Sequence, residues 1–405
     1  MADARALAAI VVLGFASGLP YTMVGDMLQT WAAKSGWSDT DVVLLGWLTL
    51  PFQLKVLWAP LIDRYAPPLL GRRRGWLALA QLAAAGGLAL LAGTAPAEPQ
   101  PWLVLAALVA CAAATFDLAA NAYAIEAVAP GRHGAAAGLQ VWGWRAGFLA
   151  TATAVPLIAA GPGWPTAFAA AALVQALAAI AVLAAPEPPA APAPPSLLAA
   201  AAGPLRELLA RRDVVLLLLF VLLYSASDGM ARTFTGAFLA KQYTLEQLSL
   251  RGAGGLAGAG LGAVAAGWLV ARHGLAACLW TGGVLAALSN LLYVAVAVGW
   301  LPGAGGLLAV VVLDNACGTL AAAAFVAFLM SRCSAGAAAT QYALLATIGL
   351  ATPHLWRLAA GLPAGIGWTG TYLLSVAVAL PGLLLIPRVV AGPAGAPCPA
   401  PAPRA

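Results

Sequence analysis

Eight ionisable residues fall inside or at the ends of long apolar stretches: Asp26, Lys55, Asp117, Arg145, Asp228, Arg232, Asp314 and Arg357. Four are acids and four are bases. A charged side chain at the centre of a bilayer costs about 2.5–3.5 kcal/mol even on the lenient scale, so eight left unpaired would cost on the order of 20 kcal/mol. Such groups persist only if they neutralise one another or line a wet cavity. Asp228 and Arg232 are one helical turn apart and can simply pair. A balanced set of eight exceeds what helix anchoring requires. It predicts a cavity that handles a charged solute, with at least one carboxylate that exchanges a proton.

Asp117 is the first choice for that carboxylate, with Asp228 and Asp314 behind it. Low dielectric favours the neutral acid, so a buried carboxylate can load and release a proton near neutral pH. Asn121 follows Asp117 by one turn, and Glu126 lies at the end of the same stretch. Lys55, Arg145 and Arg357 suit carboxylates on a solute. Trp142 stands beside Arg145, and an aromatic face can stack on a sugar or pack a guanidinium. With Asn121 these make the expected substrate-binding set. Asp63 and Arg64, followed by Arg72, Arg73 and Arg74, sit between the second and third stretches and form an expected cytoplasmic gate. Acid and bases would pair there when that face is closed. The plainer alternative for each carboxylate is a hydrogen-bonded helix anchor, and for the arginines it is topological anchoring.

The elements that must position these residues are membrane spans. Of 405 residues 62% are hydrophobic and only 8% charged, against roughly a quarter charged in a soluble domain. Too few charges remain to cover a water-facing surface, and disorder is excluded on the same balance. Twelve apolar stretches can be laid out, near 6–31, 40–62, 74–96, 101–128, 134–160, 163–185, 213–239, 246–271, 275–300, 303–330, 337–361 and 365–389. The expected fold is an all-α polytopic membrane protein of twelve transmembrane helices in two six-helix halves. Residues 1–185 form the N-terminal half and 213–390 the C-terminal half. Residues 186–212 form a Pro-rich cytoplasmic linker with a surface helix, and 391–405 a disordered tail. The first stretch has no clear cleavage site and reads as a span, not a signal peptide.

Charge sets the orientation. Thirteen arginines fall at the start, the even-numbered loops and the tail, whereas the odd-numbered loops hold only Lys34, Lys241 and Arg251. That bias puts both termini in the cytoplasm. The net charge of +6 therefore reports topology; nucleic-acid binding would need a basic stripe on a soluble face. His133, His273 and His354 are scattered, so neither a metal site nor a membrane enzyme is expected. The five cysteines read as small buried hydrophobes, and most tryptophans, Trp31, Trp37 and Trp102 among them, as interfacial-belt residues. Gly14/Gly18, Gly143/Gly147 and Gly254/Gly258/Gly262 repeat at four-residue spacing, the pattern of closely packed helices.

Several segments resemble the AmpG muropeptide permeases of the major facilitator superfamily. These are GFASGLP from Gly14, LQTW from Leu28, LKVLWAPLIDRYAPPLLGRRRGW from Leu54, GWRAGFL from Gly143, DNACGTLAAAAFVAFLM from Asp314 and ATQYALL from Ala339. The resemblance implies a proton-driven importer in the bacterial inner membrane, with no cofactor beyond the proton gradient. Its implied cargo is GlcNAc-anhydroMurNAc and its peptide-bearing forms, a small-molecule glycopeptide carried for cell-wall recycling and, in some bacteria, for β-lactamase induction. A monomer is expected. By position Lys55, Asp117, Arg145 and Asp228 carry over as intramembrane charges, and Asp314 stands where the family usually has Glu. The chain departs from the pattern at Asn121, at Ser225 and in the TPHLWR stretch around Pro353. The alternative is a carrier of the same fold for another anionic solute, such as a nucleotide thioester or a peptide, because fold does not fix cargo.

Overall fold

A computed structural model describes residues 2–58, 61–62, 65–68, 70–128, 133–188, 208–332 and 345–391. Every regular element among them is helical. Among the described residues eight stretches are long and apolar enough to cross a membrane: Arg5–Lys34, Arg72–Ala92, Pro99–Ala124, Trp164–Ala184, Val214–Gln242, Leu245–Ala297, Gly303–Leu329 and Leu362–Val390. The count differs from twelve for physical reasons. Leu245–Ala297 is 53 residues long, about 80 Å of helix at 1.5 Å per residue, far beyond a hydrocarbon core of about 30 Å. It is divided at Gly274, whose φ of 79° and ψ of 174° break the helix where the sequence places the loop between the eighth and ninth spans. The helix His133–Ala160, 28 residues long, also has crossing length. The second and eleventh expected spans are interrupted. Residues 39–57 alternate between α-helix and 3-10 turns, and the eleventh breaks before Thr352–Arg357.

The chain forms two compact units, one of Met1–Pro194 with Phe234–Gly254, the other of Pro195–Thr233 with Gly255–Ala405. In the first, α1 (Ala2–Thr22) continues through a π-turn at Met23–Met27 into α2 (Leu28–Lys34), followed by α3 (Asp39–Leu44) and α4 (Leu50–Leu54). Then come α5 (Arg72–Ala92), α6 (Pro99–Glu126), α7 (His133–Ala160) and α8 (Trp164–Ala184). Helices α9 (Val214–Gln242) and α11 (Leu250–Ala297) each contribute to both units, and α10 (Leu245–Leu248) belongs to the first. The second unit adds α12 (Gly303–Ser331), α13 (Thr352–Arg357) and α14 (Leu362–Ala391).

Helix α1 lies directly on α7. A Cβ at Gly14 or Gly18 would meet the α7 backbone around Gln140–Trp144, and one at Gly143 or Gly147 would meet the α1 backbone at Val11 and Phe15. Gly258 and Gly262 of α11 likewise face the α12 backbone at Val312 and Ala316. Lipid tails are as apolar as leucine, so close backbone approach is what holds such helices together. The tryptophans correct one expectation. Trp102 is fully buried and Trp31 nearly so; they pack edge to face at 5.8 Å, and Trp31 stacks on Trp164 at 5.5 Å. They join helices to one another instead of facing lipid. Of the free cysteines described, Cys278 is buried, Cys317 intermediate and Cys111 exposed. Most of the linker and tail expected at 186–212 and 391–405 lies outside the described residues.

Gly18→Val is expected to destabilise the first unit by about 1–3 kcal/mol through overpacking, read as a lower melting temperature in detergent. Gly86→Val, where a Cβ would meet nothing within 4 Å, should shift it much less.

Candidate functional site

The first unit gathers three polar residues around one carboxylate. Asp117, buried on α6, accepts from Lys55 Nζ at Oδ2 and from Ser17 Oγ at Oδ1. Asn121, one turn on, donates to the Asp117 carbonyl at 2.8 Å and to Oδ2 at 3.3 Å. Lys55 stands in a 3-10 turn, Lys55–Leu57, that follows α4. Irregular backbone at membrane depth is tolerated only where protein or a wet cavity surrounds it. Trp58 Nε1 donates to Thr115 Oγ1 at 3.2 Å and holds that turn against α6. Asp117 therefore accepts from three donors, one of them the Lys55 ammonium.

The second unit treats its carboxylate differently. Asp314 on α12 accepts from Tyr293 Oη at 2.8 Å and from Ser289 Oγ at 2.9 Å, both on α11. The Tyr293 ring stacks on Tyr372 at 4.9 Å, and Trp368 continues the stack at 6.4 Å. Of the four intramembrane acids, Asp314 is the one that makes no ion pair among the described residues; Asp26, Asp117 and Asp228 each have one.

Arg232 Nε meets Asp228 Oδ2 at 2.9 Å, within one turn of α9. Arg357 is buried, and its Nη1 lies 2.8 Å from His354 Nδ1. A guanidinium only donates, so Nδ1 accepts and the imidazole proton sits on Nε2. Helix α13 carries both residues and docks on α9. Thr352 Oγ1 donates to the Ser225 carbonyl at 3.2 Å, Trp356 Nε1 to the Ala226 carbonyl at 2.9 Å, and Thr233 Oγ1 to the Pro353 carbonyl at 2.9 Å. Arg357 is thus presented beside the stretch of α9 that bears Asp228 and Arg232. Arg145 is exposed on α7 and makes no ion pair with a described residue. Trp142 is also exposed, whereas Trp144 turns inward onto Tyr21 and Phe148.

Of the expected gate, Asp63 and Arg64 lie outside the described residues. The three arginines clasp helices within the first unit. Arg73 is buried and grips Glu126 through two bonds of 2.8 and 2.5 Å, with Arg72 at 3.4 Å. Arg74 donates to the carbonyls of Val182 and Leu183 at the end of α8. Glu187 accepts from the backbone N–H groups of Arg73 and Arg74 at 2.9 and 3.0 Å, an acid at the positive end of α5. These contacts match anchoring. Glu187 escaped the sequence reading because its partners are more than a hundred residues away. Ser289 and Tyr293 left a fainter trace, two donors spaced by one turn.

Burial pushes the Glu126 carboxyl up, but Arg73 and Arg72 outweigh it and hold its pKa below the ordinary 4.5. A depressed carboxylate pKa contributes stability that is present above the ordinary value and lost as pH falls through the lowered one. Glu126→Gln should therefore melt below the parent at neutral pH, and the gap should close as the scan goes below about pH 4. Lys55→Met takes the ion-pair partner from buried Asp117 and should cost about 3–5 kcal/mol, while Lys55→Met with Asp117→Asn should recover most of it. Thermal unfolding in detergent measures both.

The chain matches the Major Facilitator Superfamily over residues 7–352. It is 33% identical over 390 residues to the anhydromuropeptide permease of Escherichia coli (strain K12), covering 94% of this chain and 78% of that protein. A solved nucleoside transporter, NupG, superposes with a TM-score of 0.70 at 11% identity, covering 95% of this chain and 99% of that one. A D-xylose–proton symporter gives 0.66 at 13% identity, with 95% and 96% covered. At such identities the structural likeness concerns the fold alone.

Proposed function

We infer the function from family membership: the chain belongs to the Major Facilitator Superfamily and is an AmpG-type permease, a transporter and not an enzyme. Its proposed cargo is an anhydromuropeptide, GlcNAc-anhydroMurNAc with or without peptide, imported from periplasm to cytoplasm for peptidoglycan recycling. The observation that carries this is the 33% identity, across 94% of the chain, to the Escherichia coli protein of that name. Twelve spans in two halves, both termini in the cytoplasm, and a monomer in the inner membrane complete the proposal. The arginine bias supports that orientation.

Transport proceeds by alternating access, driven by the proton gradient. The cargo's carboxylates meet Lys55, Arg145 and Arg357. An anion that engages Lys55 draws it from Asp117 and leaves that carboxylate free to take a proton, which links cargo to proton. Asp314, with neutral donors only, is the second proton acceptor.

Uptake of radiolabelled GlcNAc-anhydroMurNAc into vesicles should require an inward pH gradient. Asp117→Asn and Asp314→Asn should each reduce accumulation at least about tenfold while counterflow exchange persists. Accumulation without a gradient would remove proton coupling. Failure of unlabelled anhydromuropeptide to compete, with competition by a nucleotide thioester or an oligopeptide, would move the protein to the alternative cargo.

A further inference from the structure

A cleft of about 520 Å³ opens between the second expected span and α6, wholly within the first unit. The backbone accounts for it. After α3 the chain tightens into the 3-10 turn Leu45–Thr49, where side chains three apart eclipse each other. Leu45 and Leu48 therefore form one wall, and Leu103, Val104 and Ala107 on one face of α6 form the other. The volume falls among small-molecule sites, about 300–1,000 Å³, yet Asp41 is the one charged side chain in the lining. A glycopeptide finds few partners there for its hydroxyls and amides, so the cleft suits a ligand other than the cargo proposed above.

Its edges are open to the bilayer. Leu44 is 40% exposed and Val104 60%, so an apolar chain can enter sideways without crossing water. Asp41 to Leu48 spans seven residues, about 10–14 Å at 1.5–2.0 Å per residue, which fits within one leaflet of a hydrocarbon core of about 30 Å. Trp37 marks the surface end. It stands between α2 and α3, lines the mouth and rests edge to face on Trp102 at 5.6 Å, and indoles settle at the headgroup level. Asp41 is exposed at the start of α3. Ser38 Oγ accepts from its backbone N–H at 3.2 Å and donates to its Oδ2 at 2.6 Å. Asp41 makes no ion pair with a described residue. Lys34 and Lys241 are taken by the Tyr243 carbonyl and by Asp39. A cation for Asp41 must therefore come from the ligand.

We propose that this cleft binds a phospholipid with a primary ammonium headgroup, of the phosphatidylethanolamine type. One acyl chain lies between Leu48 and Ala107, and the ammonium meets Asp41, on the periplasmic side in the orientation proposed above. Bulk lipid covers any apolar surface, whereas this site selects its headgroup by charge. The test places the full chain in phosphatidylcholine nanodiscs with a trace of probe lipid carrying a diazirine on one acyl chain, and crosslinks are mapped by peptide mass spectrometry. A phosphatidylethanolamine probe should label residues 45–48 and 103–107 about fivefold more than a phosphatidylglycerol probe with the same chains, the effect of one exposed ion pair. Asp41→Asn should abolish that preference and Asp41→Glu keep it. Ala107→Phe should cut labelling of the cleft by both probes and leave labelling around Val264, which is 75% exposed, unchanged. Equal labelling by both probes means an annular lipid only and overturns the site. So does a preference that survives Asp41→Asn, or phosphatidylethanolamine labelling no stronger here than around Val264. Labelling needs neither cargo nor a proton gradient, so the lipid site and the proposed transport fail separately.

Discussion

An ionised group in hydrocarbon must be answered by another group, and that constraint organises the polar chemistry of this protein. Asp26 is answered by Arg251, Asp117 by Lys55, and Asp228 by Arg232. Arg357 has His354, and Asp314 has two hydroxyls. The kinds of answer differ, and the difference matters more than the count. Asp117 has a cation, Lys55, among its donors, whereas the donors to Asp314 are the hydroxyls of Ser289 and Tyr293. The two units thus hold their central carboxylates by opposite means.

Backbone packing decides which groups can meet. In the first unit Gly14 and Gly18 seat α1 on α7, and that sets the depth at which Ser17 reaches Asp117 on α6. In the second unit Gly282 lies against Ala321. Seven residues further along α11 is Ser289, and seven residues back along α12 is Asp314, which bond at 2.9 Å. Antiparallel helices in register bring such pairs together. A larger residue at a glycine contact would shift the helix and separate polar partners several turns away.

The positions expected to depart from the AmpG pattern each make contacts of their own. Asn121 holds Asp117 through backbone and side chain. The Ser225 carbonyl receives Thr352, the first residue of TPHLWR, and that stretch supplies both His354 and Arg357. Ser225 on α9 and Thr352 in the eleventh expected span thus touch each other.

Composition alone determined that the chain spans a membrane, because 8% charge cannot coat a soluble surface. Spacing alone showed the Asp228–Arg232 pair and the glycine faces, since both follow from the 3.6-residue turn of a single helix. Lys55 and Asp117 were each visible as intramembrane charges, but their union across 62 residues was not. Neither were the hydroxyl donors of Asp314, the burial of Trp31 and Trp102, or the grip of Glu187 on α5. Contacts between helices depend on how each is rotated about its axis and how deep it sits, and the local pattern of a helix carries neither quantity. Tertiary packing decided them.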